Sequence, residues 1–145
     1  MIVNTAYIYM GSGGGGGGGT PANPNLWQDG VANYPVEFTK NSSIKPKYLS
    51  LISGGSATFS ELLLTGFNSL TISKYGDSFI PNIPIRIEFF NSSGQLLGTE
   101  TVTFGYSTTT KSVNIPSAAK IQNAKIRMTN ENSNKNINLS SAVLS

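Results

Sequence analysis

Apolar and polar side chains alternate with period two along most of this chain, and turn residues interrupt the pattern every eight to twelve positions. The stretch Ser69 to Tyr75, SLTISKY, alternates cleanly, with Leu70 and Ile72 on one face. Ile85 to Phe90, IRIEFF, sets Ile85, Ile87 and Phe89 against Arg86, Glu88 and Phe90. The sequence NSSG at Asn91 to Gly94 predicts a hairpin turn, since Gly94 can take a positive φ, and Leu96 to Tyr106 returns as the partner strand. Shorter strands are expected at Val36 to Thr39 and Tyr48 to Ile52. Gly54 and Gly55 turn the chain into Ala57 to Leu64, and Lys111 to Ile115, Ala124 to Thr129 and Ile137 to Leu144 complete the set. Gly76 to Pro84 reads as a proline-bounded loop, and Thr20 to Pro35 as a loop docked through Leu26 and Trp27. Pro116 and Asn123 argue for a loop and turn, not a helix, in SAAKIQNAK. The expectation is an all-β chain: an antiparallel sandwich of about 8–10 strands, with no helix longer than a turn. Its core should hold Ile72, Ile85, Ile87, Phe89, Val102, Phe104, Val113, Ile115, Ile126, Met128 and Leu139.

The pattern breaks near the start. Gly13, Gly14, Gly15, Gly16, Gly17, Gly18 and Gly19 form an unbroken run that has no side chains to bury and loses much backbone entropy on ordering. Before it stands MIVNTAYIYM, whose residues Ile2 to Tyr9 read as a strand. The chain therefore divides into a strand-forming leader (1–10), a Gly/Pro-rich tether (11–24) and a sandwich (25–145). The nine residues Gly11 to Gly19 would span roughly 16 Å as a flexible coil and about 30 Å extended. That reach lets the leader add to a neighbouring subunit's sheet, fold back on its own, or bundle its glycines with those of other copies.

Composition narrows the chemistry. Of 145 residues only 12% are charged, while 38% are hydrophobic and 10% aromatic, enough to sustain a core. The net charge of +3 is scattered, so no basic stripe predicts nucleic-acid binding; Lys40, Lys45 and Lys47 read as a solvated strand edge. No apolar run approaches the ~20 residues that span a bilayer, which predicts no membrane insertion. No signal peptide is visible, so synthesis in the cytoplasm and release by a route such as lysis are expected.

The chain has no cysteine and no histidine, which excludes disulfides, thiolate sites and a Ser-His-Asp triad. Glu61, Asp77, Glu88 and Glu100 are the candidates for a glycosidase pair. Glu88 and Glu100 are expected instead on a solvated sheet face beside Arg86 and Lys111. The glycine run lacks the GK[ST] ending of a phosphate loop and is followed by Pro21 and Pro24. No enzyme is expected.

From Phe59 to Leu144 the order of elements resembles the galactose-binding-like jelly roll of discoidin and carbohydrate-binding-module type. LTISKY precedes IPIRIEFFNSSGQLLG, KSVNIP leads to AKIRMTN, and INLSSAVL closes the domain; NLWQDG is similar to the opening segment of such modules. The resemblance implies a jelly-roll sandwich whose sugar sites lie in variable loops. Aromatic faces that stack on sugar rings are then the feature to seek, and Trp27, Tyr34, Tyr75, Phe79 and Tyr106 lie in or near loops. Each has the alternative role of a loop anchor, and Trp27 is expected to plug one end of the core. Some family members hold a structural calcium; Asp29 and Asp77, the only aspartates, would have to meet, and no cofactor is expected.

The leader and its glycines resemble a second group, small structural proteins of tailed bacteriophages. That implies a virion component of tail, fibre or head surface. Its leader would dock on other virion proteins or copies of itself through Ile2, Ala6 and Ile8, or through Val3, Tyr7 and Tyr9. The sandwich would be displayed for contact with host-surface glycans. The alternative is a free carbohydrate-binding module or lectin with no assembly role.

Overall fold

The computed structural model describes residues 3–6, 23–76, 82–121 and 123–145, the first four by backbone alone. The strands are β1 (Val3–Ala6), β2 (Trp27–Gln28), β3 (Val31–Ala32), β4 (Val36–Thr39), β5 (Ser43–Ile44), β6 (Leu49–Leu51), β7 (Ser56–Leu63) and β8 (Ser69–Lys74). They continue with β9 (Ile83–Asn91), β10 (Leu96–Phe104), β11 (Thr110–Asn114), β12 (Asn123–Asn130) and β13 (Ile137–Leu144). Among the described residues a one-turn 3-10 segment, Ser117–Lys120, occupies the stretch read as a loop and turn.

Six strands form one sheet in the order β1-β4-β7-β12-β9-β10, and five form a second in the order β11-β8-β13-β6-β5. Every pairing is antiparallel. The sheets form an antiparallel jelly-roll sandwich, and each buries the alternate residues of its strands. Leu70 and Ile72 of β8, and Ile83, Ile85, Ile87 and Phe89 of β9, point into the core. Every residue expected in the core from the alternation is buried. Burying a side chain of this size contributes about 1.5–3 kcal/mol, and this apolar core offsets the entropy of ordering the strands.

Two short elements depart from the sequence expectation. Trp27–Gln28 and Val31–Ala32 form a small hairpin inside the stretch read as a loop. Its two-residue turn is Asp29 and Gly30, at φ 53° and 80°, the left-handed pair such a turn requires. Ser43–Ile44 is the second addition, an end strand too short to show a period. Lys40, Lys45 and Lys47 are exposed along that edge. The NSSG hairpin forms as expected, with Gly94 at φ 88° and Asn91 Oδ1 accepting from the amides of Ser93 and Gln95 at 3.1 and 2.8 Å.

The β6–β7 turn is pressed against the β4–β5 turn. A methyl group on Gly55 would collide with Ser42 Oγ and lie 3.0 Å from the carbonyl oxygens of Ile52 and Thr39. Two of those three neighbours are backbone, so relief requires the turns to separate. Gly55→Ala is expected to cost about 2–3 kcal/mol, read as a lower melting temperature.

Candidate functional site

A cluster of tyrosines at one end of the five-stranded sheet follows from the β8 alternation. Outward positions Ser69, Thr71 and Ser73 lead to Tyr75, while the inward phase runs Leu70, Ile72, Lys74. Tyr75 is tied to β13 by its amide, which donates to the Asn138 carbonyl at 2.9 Å. Its ring packs on Tyr48, just before β6, with centroids 4.8 Å apart and planes inclined by 40°. Even so packed, Tyr75 keeps 36% of its surface exposed.

Lys74 is the polar residue in an apolar phase. It is only 7% exposed, and its Nζ donates to the carbonyl oxygens of Gly105 and Tyr106 at 3.0 and 3.3 Å. Its backbone amide donates to the Thr109 carbonyl at 2.7 Å. A buried ammonium is costly unless hydrogen-bonded, so these carbonyls fix both the lysine and the 105–109 loop. At Gly105 a Cβ would lie 2.6 Å from Asn82 Oδ1, so a larger residue there would have to turn the Asn82 side chain aside. The loop thus presents Tyr106, 58% exposed, from the end of β10, while Tyr75 stands at the end of β8.

The structure separates the five aromatic candidates. Tyr75 and Tyr106 are exposed. Trp27 and Tyr34, at 3% and 8%, are not: Trp27 stacks on Phe59 at 5.9 Å, and Tyr34 Oη donates to the Asn23 carbonyl at 2.6 Å. Both therefore have their faces covered and are corrected to core anchors, which is the alternative role their positions suggested. Phe79 lies outside the described residues, as do Ile2, Tyr7, Ile8, Tyr9 and Gly13 to Gly19. Of Val3 and Ala6 the backbone is described: β1 pairs with β4 of the same chain, Val3 opposite Thr39 and Ala6 opposite Val36. Tyr48 was missed because it opens a predicted strand. Lys74 was missed too, although a lysine in register with Leu70 and Ile72 is a signal the alternation already contains.

Among the described acidic candidates, Glu88 and Glu100 do not face one another as a catalytic pair. Glu88 is 8% exposed on the outer face of the six-stranded sheet, correcting the expectation that it is solvated. Arg127 donates from Nε to Glu88 Oε1 at 2.9 Å, and Arg86 Nε lies 3.3 Å from the same oxygen. Arg86 also donates to Glu131 at 2.6 Å, and Arg127 lies over the Phe90 ring at 4.8 Å. Glu100 stands opposite Ile87, a core-facing residue, so the two carboxylates fall in opposite phases of the pleat. Glu61 is exposed at the β7 bulge, and Asp77 lies outside the described residues. Asp29 sits in the β2–β3 turn. Among the described residues no three His, Cys, Asp or Glu side chains cluster. None of the described helical segments is long and apolar enough to cross a membrane.

What the chain builds is an all-β sandwich with exposed tyrosines at one rim and paired charges on one face. Solved structures with a similar fold include a family 6 carbohydrate-binding module, 16% identical, with a TM-score of 0.45, over 87% of this chain and 98% of that one. A family 35 carbohydrate-binding module from Cellvibrio japonicus is 14% identical, with a TM-score of 0.48, over 85% and 86% of the two chains. The enzymatically active domain of tailspike protein 4 of bacteriophage CBA120 is 9% identical, with a TM-score of 0.44, over 99% of this chain and 17% of that one. No protein-family model and no curated protein matches the sequence.

Proposed function

We propose that this chain is a non-catalytic glycan-binding sandwich that contacts sugars at the rim formed by Tyr48, Tyr75 and Tyr106. The observation that carries this reading is the exposed Tyr75 ring, braced from behind by Tyr48 at 4.8 Å. A braced aromatic face stacks on a sugar ring with little loss of side-chain entropy. Tyr106 is exposed on the loop whose Gly105 and Tyr106 carbonyls are held by Lys74, the residue next to Tyr75, so the two tyrosines are tied to one anchored segment. Against catalysis stand the absence of histidine and cysteine from the sequence and the engagement of Glu88 with two arginines.

The test is a glycan array followed by calorimetry. Tyr75→Ala should weaken binding by about tenfold or more while moving the melting temperature by no more than about 4 °C. Equal affinity in the variant would remove the rim as the site, and a wild-type protein that binds no glycan would remove the reading.

A second reading adds display on a bacteriophage particle. β1 is an end strand paired with β4 of its own chain, so this reading requires the leader to leave that edge and make the same hydrogen bonds on the β4 of another copy. Deleting residues 1–19 should leave glycan binding intact and abolish incorporation into virions, followed by mass spectrometry of purified particles. Undiminished incorporation would sink the assembly role and leave the lectin role standing.

A further inference from the structure

The two outer faces of the sandwich differ in charge. On the six-stranded sheet the row Glu37, Thr58, Arg127, Glu88, Thr99 runs across neighbouring strands, with Arg86 beside it. On the five-stranded sheet the outward positions are Thr110, Ser112 and Asn114 of β11, Ser69, Thr71 and Ser73 of β8, Asn138, Ser140, Ser141 and Val143 of β13, Ser50 of β6 and Ser43 of β5. Among the described residues these outward positions carry no ionisable side chain, and all are half-buried or exposed.

The hydroxyls are ordered into cross-strand pairs. Thr71 Oγ1 meets Ser112 Oγ at 2.6 Å, Ser73 Oγ meets Thr110 Oγ1 at 3.3 Å, and Ser69 Oγ meets Ser145 Oγ at 2.8 Å. A hydroxyl has one donor and two acceptor positions, so each paired group retains capacity for an outside partner. The rows begin beside the Tyr48–Tyr75 pair and continue along β8 to Ser69, roughly 20 Å at the rise of a strand.

We infer that this hydroxyl face is an extended binding surface for a neutral polysaccharide chain that enters at the tyrosine pair and lies along β8 and β11. The inference rests on the glycan-binding reading and specifies its ligand class. Lys111 of β11 is exposed but belongs to the inward phase, opposite Ile72 at the sheet edge, so among the outward positions an acidic polymer finds no counter-charge. The core of a stable protein interface is depleted in serine and enriched in aromatic residues, whereas here the tyrosines stand at one end only. A neutral polymer of alternating hydroxyls and ring faces matches both parts of the surface.

The experiment compares disaccharides and hexasaccharides of glucose, xylose and galactose, with polygalacturonate as the acidic probe, on the full chain. At least one neutral hexasaccharide should bind about tenfold or more tighter than its disaccharide, with affinity insensitive to salt. The double variant Thr71→Val with Ser112→Ala, both on an exposed face, should erase that length preference and leave the disaccharide affinity unchanged. Equal binding of short and long sugars, preference for polygalacturonate, or a double variant that keeps its length preference would each overturn the extended face while leaving a tyrosine site in place. So would light scattering that shows a dimer disrupted by Ser112→Lys. If no sugar binds at any length, the glycan-binding reading fails with it.

Discussion

Asn130→Ala should lower stability by about 3–4 kcal/mol, a drop of roughly 10 °C in melting temperature for a chain of this size. Asn130 is 0% exposed and works in three directions at once. Its Nδ2 donates to the carbonyl oxygens of Leu51 and Lys135 at 3.1 and 2.8 Å, and its Oδ1 accepts from the Asn132 amide at 2.9 Å. Its backbone joins the same junction, with the amide donating to Gly55 at 2.9 Å and the carbonyl accepting from Gly54 at 3.0 Å. The side chain therefore fastens the end of β6 to the turn between β12 and β13. Alanine leaves two carbonyls and an amide without partners, and each unsatisfied buried group costs about 1–3 kcal/mol before water relieves part of it. Asn130→Asp is the sharper control. It keeps the shape but turns two donors into acceptors facing carbonyl oxygens, so near neutral pH it should be at least as damaging as alanine. A chemical-denaturation series reads both variants, and an Asn130→Asp protein as stable as wild type would show that packing, not hydrogen bonding, is what the residue supplies.

Asn130 also marks the limit of what the sequence discloses. The alternation located the long strands and the core because burial on one face imposes period two on many residues together. IRIEFF and SLTISKY each carry several agreeing positions, so one exception does not blur them. Two-residue strands have no period to read, which is why Ser43–Ile44 and the hairpin around Asp29 and Gly30 emerged only from the fold. The Asn-rich stretch before Ile137 read as a turn, and it is one. Nothing local distinguishes Asn130, which is buried and reaches Leu51, from Asn132, which caps its own loop.

The rim was half legible for the same reason. Tyr75 and Tyr106 stand at strand ends, where position alone predicts exposure. Whether an aromatic in a loop faces water or the core is decided by what the loop folds onto. That information belongs to the partner strand, as Phe59 shows for Trp27. Lys74 is the exception, a charged residue written into an apolar phase. Burying an ammonium is unfavourable unless the site uses it, and here it holds the loop that presents Tyr106.

Trp27→Ala should cost about 3–5 kcal/mol, the range for removing a large buried aromatic and leaving its cavity. Trp27 is 3% exposed and stacks on Phe59 with planes inclined by only 18°. Beside it the Leu26 amide donates to Ala142 at 3.0 Å and Asn25 bridges to Val143, so the segment that carries the ring is stitched to β13. Losing the ring should loosen that segment together with the core beneath it. Trp27→Phe is the variant that separates a core role from a sugar-stacking one. It preserves an aromatic face against Phe59 and deletes an indole N–H that has no hydrogen-bond partner among the described residues. The stability cost of Trp27→Phe should therefore stay within about 1.5 kcal/mol, because volume is partly lost while an unsatisfied donor is removed. Its glycan affinity should equal that of the wild type, in contrast to Tyr75→Ala, which should lose affinity and keep its stability. A Trp27→Phe protein that melts normally but no longer binds sugar would reverse the assignment and make the hairpin end, not the tyrosine rim, the place where ligand sits.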